Sequence, residues 1–291
     1  MTDSIAIPSN GLFYPEDKYG NKLEYLEVGY LTTEDEMMLC TPNLFHRGEV
    51  LYRLLERKVE PYNDLKIDDL YVGDKDVILL WLRENSLGNI IDYIDNKGKR
   101  FLFNTHDIKI KSIKTIPDKN GLIKIDISNY NLTLEIKLLT VLDERVYKTK
   151  NNMINFYCAS IYAINGEVWS MDKKKSWLLS RNISLGREIK RRIDDSVFGV
   201  DKKTIYNYDG KNYNTTVSMD ELFFGLSPEN LDKNLKSLNE SIFFLCNEGQ
   251  GYTNKDVMEM PSHIRIYHVN KLADKIKKHN NEMQTASRSK K

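Results

Sequence analysis

The residues of this chain that could do chemistry are few and scattered. His263 and His268 lie five apart, which on a helix sets them about 140° apart around the axis. They do not share a face, so two surface histidines are expected rather than a metal pair. His106-Asp107 has the composition of half a catalytic relay, but no nucleophile motif joins it. Cys40, Cys158 and Cys246 are widely separated and sit among apolar neighbours. Without C-x-x-C spacing they offer neither a disulfide framework nor a sequence-local zinc site, and are read as small buried hydrophobes. The chain has no G-x-x-x-x-G-K-[ST] loop, no G-x-G-x-x-G fingerprint, no G-x-S-x-G elbow and no H-E-x-x-H pair. No catalytic, cofactor-binding or metal residue is nominated, no cofactor is expected, and no reaction is implied.

Charge narrows the partners. The 291 residues carry 43 Lys and Arg against 42 Asp and Glu, a formal charge of +1. A protein that grips phosphates over a broad face usually has a basic surplus. Three basic clusters occur: Lys173 to Lys175, Arg187 to Arg192 and Lys271 to Lys278. Acids beside or within each (Asp172, Asp194-Asp195, Asp274) make them read as solvated or protein-contacting helix faces. Nucleic acid is the weaker expectation. The start, Met1-Thr2-Asp3-Ser4, lacks the pattern of a secretion signal, and the longest apolar run, Val77 to Leu82, falls far short of the roughly 20 residues a membrane helix needs. A soluble protein working inside a cell, with no membrane partner, is expected.

The elements that must position these residues fall into three expected units: 1–99, an N-terminal arm and helices; 100–226, a β-rich middle with a helical insertion; and 227–291, a helical unit with a frayed tail. The fold class is α+β. From Ile5 to Tyr30 aromatics mix with Pro8, Gly11, Pro15 and Gly20, as in an extended arm or loose hairpin. A Thr-x-x-Glu capping box, Thr33 with Glu36, opens a helix that Pro42 should end. Glu49 to Arg57 forms a second helix. Asp74 opens a third, with Val77, Ile78, Trp81 and Leu82 as its buried stripe and Gly88 as its stop. Alternation at Phe101/Phe103, Ile108/Ile110, Ile123/Ile125/Ile127 and Leu132/Leu134/Ile136 reads as strands, with Asn120-Gly121 a turn. Helical texture returns over Asn152–Ile164 and Ser184–Ile193. Thr204–Tyr208 and Tyr213–Val217, joined at Asp209-Gly210, form a hairpin expected to pair with the earlier strands across that insertion. Ser227 and Pro228 start a helix with Leu231, Leu235, Leu238, Ile242 and Leu245 at core spacing; Thr253 caps a short one and Pro261 begins the last.

Three blocks in fixed order carry more specific information: Ile7-Pro8-Ser9-Asn10-Gly11-Leu12-Phe13-Tyr14, then Leu31-Thr32-Thr33-Glu34-Asp35-Glu36-Met37-Met38-Leu39, then Gly73 to Gly88 with Trp81-Leu82-Arg83-Glu84-Asn85 at its centre. At the other end, Leu238 to Leu245, Gly249-Gln250-Gly251-Tyr252-Thr253, Asp256 to Pro261 and Arg265-Ile266-Tyr267 follow. The middle offers weaker matches at Ile164-Asn165-Gly166, Ser180-Arg181, Val200-Asp201 and Phe223-Phe224. Together these resemble the baseplate hub and hub-assembly protein family of T-even-type contractile-tail bacteriophages. The likeness spans nearly the whole chain and is strongest at its ends. It implies a virion structural or tail-assembly protein that binds other tail or hub proteins, working in the host cytoplasm during assembly and either staying in the tail baseplate or leaving as an assembly factor. A chaperone for the tape-measure protein is the close alternative; a nucleic-acid-binding protein using Arg187 to Arg192 is the alternative of another class. Some relatives carry paired cysteines in the middle region, as in a zinc ribbon. The comparable places in this chain read Phe101-Leu102-Phe103-Asn104 and Tyr206-Asn207-Tyr208-Asp209-Gly210, so no Zn²⁺ site is carried over.

Leu12, Phe13 and Tyr14 are the nominated protein interface. Aromatics on a segment with Pro8, Gly11 and Pro15 are costly to leave in water, each able to bury on the order of 150–250 Å². Either the segment docks on a partner, or it folds back onto the helices that come after it.

Overall fold

The computed structural model describes residues 1–12, 14–94, 98, 100–147, 153–217, 219–249 and 251–288. The chain opens with a hairpin, β1 (Thr2–Ala6) antiparallel to β2 (Tyr25–Gly29), with Thr2 opposite Gly29 and Ala6 opposite Tyr25. The expected arm is therefore a hairpin laid on its own body, and Ile5, Ile7, Leu23, Leu26 and Val28 enter the main core.

Helices α1 (Thr33–Leu39), α2 (Pro42–Arg47) and α3 (Val50–Lys58) come next. The capping box lies one residue earlier than expected. Thr32 is the N-cap, its Oγ1 accepting from Asp35 N–H at 3.3 Å while Asp35 Oδ2 accepts from Thr32 N–H at 2.8 Å. Glu36 turns instead to Arg265. Asp35 is fully buried and is met by Lys58 and by Arg57 Nε, the latter at 3.0 Å. Pro42 opens α2 as well as closing α1, because its missing N–H costs nothing at the first helical position.

Helix α4 (Val72–Leu87) starts two residues before the expected Asp74 and ends at Gly88, whose φ of 85° suits glycine. It is buried nearly all round, with Ile78, Leu79, Leu80 and Leu82 all at 5% exposure or less. Trp81, expected in the core, lies at its edge: half-buried, its ring 5.1 Å from that of Tyr30. Arg83, also buried, donates to the carbonyls of Gly88, Ile90 (3.0 Å) and Phe223 (3.2 Å), fastening this helix to two later segments of the chain.

Next come β3 (Ile90–Ile94) and β4 (Arg100–Asn104), an antiparallel pair. The boundary expected at 99/100 falls inside this pair and does not separate packing units. The chain then leaves through β5 (Ile110–Lys111) into a long insertion: β6 (Leu122–Ile127), β7 (Leu132–Lys137), α5 (Val141–Tyr147), α6 (Met153–Ser160), β8 (Ile161–Ile164), β9 (Glu167–Val168), α7 (Met171–Leu179) and α8 (Ile183–Ser196). It returns through β10 (Gly199–Val200), which pairs antiparallel with β5. Strands β6-β7-β8-β9 form one sheet, and its inner Ile and Leu side chains pack with Leu185, Ile189 and Ile193 of α8 as a second core. The helix expected over Asn152–Ile164 ends at Ser160, since Ile161–Ile164 alternates and pairs with β7. Helix α7 carries Lys173 to Lys175, the cluster read as a helix face.

β11 (Lys203–Tyr208) and β12 (Lys211–Thr216) make the expected hairpin, turning at Asp209 and Gly210, which have φ of 50° and 80°. As expected, the hairpin pairs back across the insertion: Asn207 lies opposite Leu102 and Tyr208 opposite Phe101, giving the sheet β12-β11-β4-β3.

The end of the chain is helical: α9 (Leu231–Glu248), α10 (Asn254–Glu259) and α11 (Ser262–Arg288). Ser227 and Pro228 do not begin α9. They form a turn closed by Ser227 N–H to Asn230 Oδ1 at 2.7 Å, and the helix starts three residues later. Leu231 and Leu238 join the main core, so the expected boundary at 226/227 is no packing boundary either. Among the described residues no helix is long and apolar enough to cross a membrane.

Candidate functional site

The blocks that carry the sequence resemblance converge at the start of α4. Asp74, fully buried, accepts from the backbone N–H of Ser9 at 3.0 Å and from the Tyr14 hydroxyl at 2.6 Å. The same hydroxyl accepts from the Tyr71 N–H at 2.9 Å. Burial raises the Asp74 pKa to about 6 against the pull of those hydrogen bonds. Burial, then the Asp74 charge, push the Tyr14 phenol far above its ordinary value.

One residue on, Lys75 lies between Asp76 (2.9 Å) and Glu144 (2.6 Å). Asp76 also meets Lys202 at 3.0 Å, just beyond the returning strand β10. Burial alone would lower the pKa of Lys75, but the carboxylates of Asp76 and Glu144 reverse this and hold it raised. A tyrosine, a lysine and three carboxylates so close together have the composition of an acid–base site. Their side chains are shut away from solvent, those of Lys75, Asp76 and Glu144 at 1–3% exposure. Asp74, Lys75 and Asp76 are consecutive on α4, while Tyr14, Glu144 and Lys202 reach them from other chain segments. The arrangement fastens the hairpin (Ser9, Tyr14), the insertion (Glu144) and the chain leaving it (Lys202) to one helix end.

The C-terminal blocks meet the same scaffold at α1. Ser262 N–H donates to Leu31 O at 2.8 Å, Thr33 N–H to Met260 O at 3.2 Å, and Arg265 to Glu36 at 2.7 Å. Leu31 N–H in turn donates to Ser86 Oγ of α4 at 3.0 Å. Both expected surface histidines are half-buried against tyrosines. His263 packs 5.1 Å from the ring of Tyr30, and His268 Nδ1 is 3.1 Å from Tyr252 Oη. His106 is exposed, 3.4 Å from Glu84, and joins no relay.

Of the nominated interface residues, Tyr14 is turned inward at 7% exposure and is corrected to a core residue. Leu12 is 36% exposed, and Phe13 lies outside the described residues. No sequence signal marks the Tyr14–Asp74 pairing, which joins residues 60 apart by one hydrogen bond. Two of the three basic clusters are partly engaged: Lys174 is buried and donates to Ile161 O, and Lys173 lies 4.1 Å from the Trp169 ring centre. Arg191 and Arg192 grip Glu188 at 2.7 and 2.9 Å and hold its carboxyl down at about 2. Cys40 and Cys158 are buried and Cys246 half-buried, all free thiols. Among the described residues no group of three His, Cys, Asp or Glu side chains is placed to hold a metal ion.

Comparison with known proteins adds no relative: no family model, no curated protein and no solved structure matches this chain.

Proposed function

We propose that this chain is a baseplate hub subunit or hub-assembly factor of a contractile-tail phage, acting by protein–protein binding during tail assembly. The reading rests on the sequence blocks that resemble that family. One observation supports a scaffolding use of them: residues from the blocks at both ends, Ser9, Tyr14, Asp74, Glu36 and Arg265, tie the chain to itself through buried and part-buried contacts. Such residues set the shape of a binding body and leave the binding to its surface. The tape-measure chaperone is the second reading. Nucleic-acid binding through Arg187 to Arg192 is less favoured, because Arg191 and Arg192 are already paired with Glu188.

The test is removal of the gene from the phage that encodes it, followed by electron microscopy of the lysate. Filled heads without assembled baseplates are expected; normal contractile tails would overturn the proposal. Copy number in purified virions then separates the two readings, a stoichiometric band marking a hub subunit and absence marking an assembly factor or chaperone.

A further inference from the structure

Three aliphatic side chains stand out from one corner of the insertion. Val168 at the end of β9, Leu179 at the end of α7 and Ile183 at the start of α8 are 63%, 65% and 74% exposed. Single exposed aliphatics are ordinary, but a group of them marks a contact surface. Two tryptophans join them. Trp169 follows Val168, Trp177 stands just ahead of Leu179, and their rings meet edge to face at 5.9 Å, each half-buried against the second core. Arg181 Nε donates to Trp177 O at 3.2 Å, so the turn between the two helices folds back beside the rings.

The corner is also basic. Residues 167–187 hold five Lys or Arg against Glu167 and Asp172, in a chain whose overall charge is +1. Further along α8 the charges balance, Lys190, Arg191 and Arg192 against Glu188, Asp194 and Asp195. Lys174 is turned inward, while Lys173, Arg181 and Arg187 are exposed. Lys173 lies 4.1 Å from the Trp169 ring centre and 3.9 Å from Glu167, and Arg181 lies 5.2 Å from the Trp177 ring centre. Among the described residues neither Arg181 nor Arg187 has an ion-pair partner.

The combination selects the partner. A nucleic-acid strand would match the charge, but a cation already covers one face of each tryptophan, where a base would stack. The aliphatic side chains would add nothing to a phosphate contact. A protein partner would need a hollow matched to each projecting side chain, whereas a fluid surface takes them without matching. Projecting aliphatics, half-buried tryptophans and surrounding cations are the chemistry of a contact with anionic lipid. We infer that the α7–α8 corner docks on an anionic lipid surface. Val168, Leu179 and Ile183 enter the boundary between headgroups and acyl chains, and Arg181 and Arg187 meet the lipid phosphates. The expectation of no membrane partner rested on the lack of a spanning segment. Among the described residues no helix is long and apolar enough to cross a membrane, but lying against one needs no span. The inference goes beyond the proposed function and does not rest on it.

The test uses the purified full-length chain and vesicles of equal parts phosphatidylglycerol and phosphatidylcholine, with pure phosphatidylcholine as the neutral surface. Sedimentation with the vesicles reads binding. One variant, Leu179→Ser with Ile183→Ser, removes apolar contact; another, Arg181→Gln with Arg187→Gln, removes charge. Lys277→Gln with Lys278→Gln takes the same charge from the exposed part of α11 and serves as the control. Circular dichroism checks that each variant is folded. The wild-type chain is expected to sediment with the anionic vesicles and not the neutral ones, less at high salt. The two corner variants should bind about tenfold more weakly or worse, and the α11 variant as the wild type does. Brominated acyl chains should quench the fluorescence of the wild-type chain through Trp169 and Trp177, a readout that needs no variant. Absence of sedimentation or of quenching, full binding by the folded Leu179/Ile183 variant, or an equal loss in the α11 variant would each overturn the inference. Binding of a single-stranded oligonucleotide without binding of vesicles would overturn it too, and would assign the corner to nucleic acid.

Discussion

The Tyr14 hydroxyl donates to Asp74 at 2.6 Å while accepting from the Tyr71 N–H at 2.9 Å, so one phenol joins the hairpin segment to the start of α4. Removing the hydroxyl leaves a buried carboxylate and a partly buried N–H each one hydrogen bond short. Tyr14→Phe should therefore cost about 1–3 kcal/mol, and Tyr14→Ala about 3–5 kcal/mol through the cavity as well. Urea denaturation of both variants checks this. Wild-type stability in Tyr14→Ala would mean that the ring is not part of the core.

Asp74 also gives a pH dependence with a definite sign. Its folded pKa is about 6 against an ordinary 3.8. Between those values the folded chain holds a proton that the unfolded chain has released, so stability falls as pH rises from about 4 to about 6. Above 6 the loss is complete and constant. A two-unit shift corresponds to about 3 kcal/mol as an upper figure. Asp74→Asn should remove this component, so the stability difference between wild type and variant should change across that window and be flat from pH 7 upward. A difference that is flat throughout would show that Asp74 titrates normally.

Most of the local structure was legible in the sequence, because it rests on short-range rules. The αL turn at Asp209-Gly210, the Gly88 stop and the alternation of Ile123, Ile125 and Ile127 each depend on a few neighbouring residues. The register of caps was less legible: Thr32 and Thr33 precede acids at equal spacing, and the contacts that distinguish those acids are long-range, Arg57 and Lys58 on Asp35 and Arg265 on Glu36, the last 229 residues away. The fate of Tyr14 could not be read, since whether an aromatic on a Gly/Pro-containing segment turns inward depends on Asp74. Helix α4 misled for another reason. Its amphipathic stripe assumes one solvent face, but other elements cover the helix, so Leu79 and Leu80 are buried and Trp81 is left at the rim.

That inversion predicts an order of mutational costs. Leu82→Ala empties a fully buried site and should cost about 2–5 kcal/mol. Trp81→Ala should fall below the roughly 3–5 kcal/mol of a fully buried aromatic, because its side chain is only partly buried at the edge of the core. Thermal unfolding of the two variants side by side gives the answer, and a Trp81→Ala cost at the top of that range would place the ring in the core after all.

The insertion approaches α4 closely enough to forbid side chains. A Cβ on Gly73 would lie 2.4 Å from Phe198 O, and one on Gly199 would lie 2.5 Å from the Gly73 Cα, at a φ of 107°. Gly199→Ala therefore combines a backbone clash with backbone strain and should cost about 2–4 kcal/mol. Hydrogen exchange should show the change as faster opening around β5 and β10, with α9 and α10 protected as before. Uniform loss of protection would instead mean that the two cores unfold as one unit.

The ion cluster around Lys75 separates removal of a charge from replacement of a pair. Lys75→Met removes the cation that lies between Asp76 and Glu144 in the interior and leaves the partly exposed Lys202 beside Asp76. Breaking a buried pair from one side costs about 3–5 kcal/mol. Changing Glu144→Leu in the same chain removes one of the two stranded carboxylates and returns apolar contact between α4 and α5. The double variant should thus be more stable than Lys75→Met alone, a coupling of opposite sign to the sum of the single effects. Denaturant melts of the two single variants and the double complete the cycle. Strict additivity would show that Lys75 and Glu144 do not act as a pair, and the fastening of the insertion to α4 would then rest on Gly73, Gly199 and the Asp76–Lys202 contact.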